Sequence, residues 1–226
     1  MRRVWVSLAS TMLAVFLPAS ATIIDGTVTG GTAKTAGGTF VKLTVPLANP
    51  FGAADSVGNN NFQSPNLFGF DEDQNILLTS ALSADVGMTT LPAGTTVASH
   101  YVFFDPGPSE HIVGTVDFDS PVLAILTSTR RLAASDFLAN TGVHYLNPGA
   151  RGLEAGDSVT ISGTDQILFD TSASSPGDYV RVLTAFSPAA GGGGSTSVPE
   201  PGGLALTAGG LAAVAALVRR RMRTAA

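Results

Sequence analysis

The chain of 226 residues contains no cysteine, so disulfide bonds are excluded and burial of apolar side chains must stabilise any fold. Its formal net charge is −5, but 6 Lys and Arg against 16 Asp and Glu between positions 22 and 197 leave that segment at −10. This acidic balance disfavours nucleic-acid binding, which needs basic patches to displace counterions from phosphates.

The first 21 residues have the three parts of a secretory signal peptide. Arg2 and Arg3 supply a positive start, and residues 4–17 form an uncharged, mainly apolar segment. Ala19 and Ala21 then occupy the small-residue positions that precede a cleavage site. We expect cleavage after Ala21 and export through the general secretory translocon, so residues 1–21 are set apart from the folded body.

Residues 22–186 are predicted to form one exported all-β domain. Short apolar runs with period-two alternation are separated by turn residues, which is typical of strands. The pattern predicts an antiparallel β-sandwich, jelly-roll-like, of about eight strands. The predicted strands are 40–45, 75–80, 96–104, 112–118, 122–127, 158–162, 166–170 and 178–186.

Four local features refine this prediction. A Pro-Gly-Pro turn after Asp105 predicts that strands 96–104 and 112–118 pair as a hairpin. The run 122–127 is almost wholly apolar and predicts an interior strand buried on both faces. Residues 131–138 have the apolar spacing of a short helix. The Gly-, Thr- and Asn-rich segments are predicted to be loops or irregular edges, and they comprise residues 22–38 and 49–66.

One acidic segment has a spacing found in calcium-binding loops. Asp71, Asp73 and Asn75 follow the D-x-D-x-N pattern that supplies side-chain oxygens to calcium. Ile76 stands where such a loop has Gly, and Leu82 stands where it has a bidentate Glu. The favoured interpretation is therefore a polar turn that leads into a strand, with calcium as the alternative and no other cofactor expected.

A second polar group lies at Arg151, Glu154 and Asp157, which can form either a surface ion-pair group or a polar site. The favoured interpretation is a turn before a strand. His100 lies within an apolar strand, where a hydrogen-bonded core histidine is more common than a metal ligand. The sequence has no nucleophile elbow, cysteine nucleophile, phosphate loop or dinucleotide fingerprint. We therefore expect a protein that is not an enzyme.

The C-terminal part has four segments. Residues 187–197 form a Gly- and Ser-rich linker. The motif Val198, Pro199, Glu200, Pro201 follows, and the uncharged residues 202–218 would span about 25 Å as a transmembrane helix. The tail 219–226 resists translocation and acts as a membrane stop through its arginines Arg219, Arg220, Arg221 and Arg223.

The order of motif, short span and basic tail over residues 198–226 resembles the PEP-CTERM sorting signal of Gram-negative bacteria, also labelled after ice-binding proteins that carry it. In that family exosortase, a membrane-embedded enzyme similar to cysteine transpeptidases, recognises the motif and processes the protein at the cell surface. Its hosts typically make exopolysaccharide and biofilm matrix. An ordinary membrane anchor with an incidental motif is the alternative. The stretches that resemble exported PEP-CTERM proteins, which implies a shared fold and export route only, are 70–75, 99–107, 150–154 and 176–181.

This resemblance implies a precursor held in the inner membrane and a product at the cell surface or in the extracellular matrix. Exosortase and the translocon are the expected partners, and extracellular polysaccharide is a further candidate. The favoured function is a non-enzymatic structural or binding component. A calcium-dependent adhesion or ligand-binding module and a secreted hydrolase with an unrecognised site are the alternatives.

Overall fold

A computed structural model describes residues 21–185, and strands carry most of its regular structure. The strands are β1 Ile23–Gly30, β2 Phe40–Lys42, β3 Ser56–Val57, β4 Leu67–Asp71, β5 Ile76–Leu77, β6 Leu82–Ser83, β7 Val86–Gly87, β8 Thr90–Leu91, β9 Thr96–Phe104, β10 Glu110–Phe118, β11 Val122–Leu126, β12 His144–Tyr145, β13 Ser158–Ser162, β14 Gln166–Ala173 and β15 Asp178–Ala185. The helices are α1 Gly31–Thr35 and α2 Thr129–Ala134, with 3-10 turns at Asp136–Leu138 and Pro148–Ala150.

Most of the strands belong to two sheets in which antiparallel pairing prevails. The first sheet has four strands in the order β1–β10–β14–β13. The second has seven, in the order β2–β4–β9–β15–β11–β7, with β5 also paired to β9. The pairs β2–β4 and β3–β12 are parallel. The described part of the chain is thus mostly β with largely antiparallel sheets, as the apolar alternation predicts.

Side chains from both sheets meet in one apolar cluster. Ile112 and Val116 of β10 and Phe169 of β14 belong to the same buried cluster as Val102 of β9 and Val180 of β15. Every second residue of β10 is buried, so this strand presents one apolar and one more polar face. The apolar faces of the two sheets therefore contribute to a common core.

The seven-stranded sheet is buried on its other face as well. Tyr101 and Phe103 of β9 and Tyr179 of β15 pack in a second cluster with Leu132 of α2 and with Leu138. The rings of Phe103 and Tyr179 stack with their centroids 5.5 Å apart. Strands that are apolar at nearly every position need cover on both faces, and α2 and the long connections supply it here.

Several predicted elements are observed at or near their expected positions. The strands predicted at 96–104 and 158–162 coincide with β9 and β13. The run 122–127 forms β11, which lies between β15 and β7 and is therefore interior to its sheet, as predicted. The helix predicted at 131–138 is present as α2 and the 3-10 turn that follows it. The strands predicted at 40–45 and 75–80 are present as the shorter strands β2 and β5.

The predicted hairpin between residues 96–104 and 112–118 is wrong. β9 pairs with β4, β5 and β15, whereas β10 pairs with β1 and β14 in the other sheet. The turn after Asp105 instead carries the chain from one sheet to the other. The physical reason is burial: β9 is buried at eight of its nine positions and needs an interior place, whereas β10 alternates and suits a sheet with one solvated face.

Residues 22–38, predicted to be loops or an irregular edge, contain β1 and α1. The loop alternative is wrong, whereas the irregular-edge alternative agrees with β1, an edge strand whose pairing with β10 shifts register twice. Ile23 and Val28 are buried in the common core. Glycine occurs within β1 because the ring of Phe40 covers the backbone there: a Cβ atom on Gly26 would lie 2.4 Å from Phe40 Cγ. Gly26, one of the glycines that favoured the loop interpretation, thus reflects close packing against a ring.

The terminal predictions fall outside the described residues. These are residues 1–20 with Ala19, the linker from 187, the motif 198–201, the span 202–218 and the tail 219–226. Within residues 21–185, no helix has the length and apolar character needed to cross a membrane.

Candidate functional site

A buried ion pair joins Glu72, directly after β4, to Arg181 in the middle of β15. Arg181 Nε donates to Glu72 Oε2 at 2.7 Å and Nη2 donates to Oε1 at 2.9 Å, and neither side chain is exposed. Ser99 donates to Oε2 and Tyr145 donates to Oε1, both at 2.6 Å. Both carboxylate oxygens are therefore hydrogen-bonded, as burial of a charge requires.

The same guanidinium ties the α2 segment to the sheet. Arg181 Nη1 donates to the Leu132 carbonyl at 3.1 Å and to the Ser135 hydroxyl at 2.6 Å. Burial alone would lower the pKa of Arg181, but the charge and hydrogen bonds of Glu72 raise it above its usual value, so the side chain is charged. The guanidinium thus makes internal hydrogen bonds to the residue after β4, to α2 and to the segment after α2.

A second polar cluster surrounds Asp71 at the end of β4. Oδ1 accepts from the Ile23 main-chain N–H at 2.9 Å and lies 2.8 Å from His100 Nδ1. Oδ2 accepts from the Thr22 hydroxyl at 2.6 Å and lies 2.9 Å from Lys42 Nζ. Burial alone would raise the pKa of Asp71, but the hydrogen bond and attraction of His100 and the bonds from Thr22 and Ile23 hold it well below its usual value.

In the D-x-D-x-N segment, the first predicted calcium ligand is already paired inside the protein. The Asp71 carboxylate is bonded to Lys42 and His100, and a cation would have to displace both. Asn75 has a left-handed backbone, with φ of 59°, immediately before β5. Among residues 21–185, no three His, Cys, Asp or Glu side chains are placed to hold a metal together. The segment is a turn that leads into a short strand.

Asp71, His100 and Thr184 form a carboxylate–imidazole–hydroxyl chain, in which His100 Nε2 lies 3.0 Å from Thr184 Oγ1. This is the order of groups in hydrolases that use a hydroxyl nucleophile. His100 and Thr184 have no exposed surface, however, so a substrate has no route to the hydroxyl. His100 is the hydrogen-bonded core histidine that the sequence favours.

An open pocket lies between the 3-10 turn at Pro148–Ala150, the loop after it and the β14–β15 turn. Its volume is about 220 Å³. The wall is rich in Gly and Ser, and we call the site the β14–β15 pocket. It is lined by Thr129, the segment 149–154 and the segment 173–178. One acidic residue in this wall is almost wholly buried.

That buried group is Asp178, the first residue of β15. It is 3% exposed, and its Oδ2 makes no hydrogen bond of ordinary geometry, although the Thr171 hydroxyl lies near enough to lower its pKa. Burial, reinforced by the carboxylates of Asp157 and Glu154, raises the pKa of Asp178 to about 7. The pocket wall thus contains a carboxyl group whose charged form is not stabilised by a basic side chain among the described residues.

The polar group predicted at Arg151, Glu154 and Asp157 separates into distinct environments. The Arg151 side chain is buried and donates from Nη1 and Nη2 to Asp136, at 2.9 and 2.8 Å. Glu154 is exposed on the pocket wall. Asp157 accepts from the Ser172 main-chain N–H at 2.8 Å. The three do not form an ion-pair group, and Glu154 and Asp157 instead add negative charge around Asp178.

The sequence analysis missed Asp178 and the Glu72–Arg181 pair, although a signal was present. Arg181 lies within an otherwise apolar run of β15, and a cation at such a position needs a buried partner. Asp178 follows a Pro-Gly turn and begins the same run. Which acid pairs with Arg181 depends on strand order, which the sequence pattern does not reveal.

The comparisons with known proteins add no relative. The chain matches no protein-family model, no curated protein and no solved structure.

Proposed function

We propose that the chain is an exported surface or extracellular-matrix protein that exosortase sorts, and that its body is a non-enzymatic structural or binding component. The observation that carries the proposal is the three-part C-terminal ending: Pro-Glu-Pro, an uncharged span and an arginine cluster in residues 198–226. The signal peptide at the other end supports the same export route.

Sorting requires that the precursor is held in the membrane while exosortase acts on it. The arginines resist translocation, and the 17 residues from 202 to 218 are long enough for a thinned or locally adapted bilayer. Pro201 cannot continue the helix backwards, because it lacks an N–H and its ring clashes with the preceding turn. The motif is thereby presented at the outer surface, where a membrane enzyme has access to it.

The body is proposed to be an antiparallel β-sandwich with jelly-roll-like size. The shared core of the four- and seven-stranded sheets supports this architecture. Fifteen strands are described, and eight of them have five residues or more; two of these eight, β1 and β4, were not expected from the sequence. Such a body suits a protein that presents loops or sheet faces to a matrix.

A non-enzymatic role is supported by the way the body uses its reactive groups. Arg181, Glu72 and His100 are engaged in internal hydrogen bonds and have little or no exposed surface. The one hydroxyl–imidazole–carboxylate chain described above is closed to substrate. These groups stabilise the fold, which leaves binding as the role open to the surface and the β14–β15 pocket.

The sorting proposal is tested in an exosortase-bearing host with the variant Glu200→Ala. The expected result is retention of the C-terminal tail, detected by the mass of the protein, because the charged centre of the motif is lost. Ser195→Ala, in the adjacent linker, is the matched control and should be processed normally. Unchanged removal of the tail from the Glu200 variant would refute the proposal.

The matrix proposal is tested by binding of the exported protein to the host's own extracellular polysaccharide. We expect the purified protein to sediment with that polysaccharide and to remain in solution with an unrelated neutral polymer such as dextran. Equal behaviour with both polymers would exclude a specific matrix ligand of this kind.

A further inference from the structure

The geometry points to a calcium-binding site in the β14–β15 pocket, with Asp178 as its buried ligand and Glu154 as its second carboxylate. This inference deepens the proposed function, since it rests on export to a calcium-rich surrounding. The site is different from the D-x-D-x-N segment, which pairs internally.

Asp178 is held in place by the sheet rather than by a flexible loop. It begins β15 and pairs with Phe104 of β9, in the interior of the seven-stranded sheet. The residue is 97% buried, yet its Oδ2 makes no hydrogen bond of ordinary geometry and the residue lines the pocket. Buried carboxylate oxygens in proteins usually have a partner, and a bound ion is one such partner.

The charged groups that act on Asp178 are acidic, which favours binding of a cation there. The groups that act on its carboxylate are the hydroxyl of Thr171 and the carboxylates of Asp157 and Glu154, and no basic side chain is among them. Arg151 contributes its segment to the pocket wall, but its guanidinium is committed to Asp136 at 2.8 and 2.9 Å. Like charges without a counter-ion destabilise one another in a buried setting, so a bound cation would relieve this repulsion.

Calcium fits these oxygens better than other common metal ions. The residues that line the pocket include no His or Cys, so the soft and imidazole-preferring metals have no ligand there. Calcium accepts six to eight oxygens in irregular arrangements, including main-chain carbonyls and water, whereas magnesium requires near-octahedral geometry. The described residues offer no preassembled set of three acidic ligands. Two carboxylates with carbonyl and water oxygens then correspond to the weak affinity of extracellular modules, roughly 10⁻⁴–10⁻³ M.

The test uses the complete exported chain, treated with a chelator and dialysed. Terbium(III) is the probe: the only tryptophan, Trp5, lies in the signal peptide, so tyrosine sensitises its luminescence, and Tyr179 is next to Asp178. We expect sensitised luminescence that calcium displaces and magnesium displaces poorly. Calcium at ten times its Kd should raise Tm by roughly 3–6 °C.

Three variants make the assignment specific. Asp178→Asn keeps the side-chain shape and should abolish both signals, and Glu154→Gln should weaken calcium affinity several-fold while the protein remains folded. Asp165→Asn removes the same charge from an exposed turn and should behave like the parent. No saturable terbium or calcium effect in the parent would overturn the inference. Equal losses in the Asp165 variant would also overturn it, since they would indicate general attraction to an acidic surface. Neither result depends on exosortase processing, so the sorting proposal succeeds or fails separately.

Discussion

Arg181 and Glu72 are separated by 109 residues in the sequence and form a bidentate ion pair with no exposed side-chain surface. The pair joins the end of β4 to the middle of β15. Through Ser135, which accepts from Arg181 Nη1 at 2.6 Å, it also fixes the segment after α2 against the sheet. A single guanidinium therefore connects three parts of the chain that have no local reason to meet.

Removal of one partner of this pair should be strongly destabilising. We expect Arg181→Met to lower the free energy of unfolding by about 3–5 kcal/mol, because Glu72 remains buried without its counter-charge. Addition of Glu72→Gln to that variant should restore part of the loss, since a neutral amide costs less to bury. Urea unfolding of the parent, both single variants and the double variant measures the coupling. Strictly additive losses would contradict the assigned pairing.

Ionisation of buried Asp105 is expected to lower the stability of the protein as the pH rises from about 4 to about 6. Asp105 has no exposed surface, and its Oδ2 accepts from the Phe62 N–H at 3.0 Å while Oδ1 makes no hydrogen bond. Burial, opposed in part by the Phe62 N–H and by smaller contributions of Tyr179 and Asn61, raises the pKa of Asp105 to about 6. The folded state therefore holds this proton more tightly than the unfolded chain, and stability is greatest below the unfolded pKa.

Asp105→Asn removes this charge and keeps an oxygen to accept from Phe62. We expect the variant to be more stable than the parent at pH 8, by on the order of 2–3 kcal/mol, and similar to it at pH 4. Thermal melting at the two pH values measures the difference. Asp165→Asn, in an exposed turn, should show no such dependence, and an equal effect of Asp105→Asn at both pH values would rule out this explanation.

Asp71 is expected to change stability with pH in the direction opposite to Asp105. Because the pKa of Asp71 is lowered in the folded state, its stabilisation is present above about pH 4 and is lost as the pH falls further. Asp71→Asn should cost about 1–3 kcal/mol at pH 7, since the bonds to Lys42 and His100 are weakened. The cost should shrink on acidification towards pH 2. Asp73→Asn is the control and should cost little at pH 7, because burial raises the pKa of Asp73. A penalty for Asp71→Asn that does not change with pH would contradict the assignment.

The interior position of β11 is tested by Ile125→Asp. Ile125 has no exposed surface and lies in a strand with neighbours on both sides, so the substitution buries an unpaired carboxylate. We expect this variant not to fold. Thr115→Asp, on the partly exposed face of β10, should cost less than about 1 kcal/mol. Circular dichroism and thermal melting compare the two, and a cooperative melt for Ile125→Asp near that of the parent would show that the strand is not interior.

The sequence pattern predicts the positions of strands better than it predicts which strands pair with each other. β9 and β13 coincide with predicted strands because local apolar runs and turn residues define where a strand starts and stops. The hairpin between residues 96–104 and 112–118 was wrong because a turn signal identifies a change of direction, not the sheet that the next strand joins. The continuous burial of β9 contained the missing information, since such a strand needs partners on both edges.

The two candidate calcium sites also show that a local pattern does not reveal tertiary contacts. The spacing of Asp71, Asp73 and Asn75 predicts a shared ligand, but the Asp71 carboxylate pairs with Lys42 and His100 instead. Asp178 and Glu154 line one pocket although they are 24 residues apart in the sequence, because the β14–β15 turn approaches the loop after residue 148. Spacing identifies a site only when consecutive residues form it.

The sequence by itself determined the features that depend on contiguous residues: the acidic, cysteine-free composition, the signal-peptide pattern, the Pro-Glu-Pro ending and most strand positions. These features act through local hydrophobicity, charge and backbone restriction, which the order of residues specifies directly. Tertiary structure alone decided that Arg181 pairs with Glu72, that His100 is closed to substrate and that Asp178 lies in a pocket. Each of these depends on which strands become neighbours and in what register, and burial across the whole core selects that arrangement.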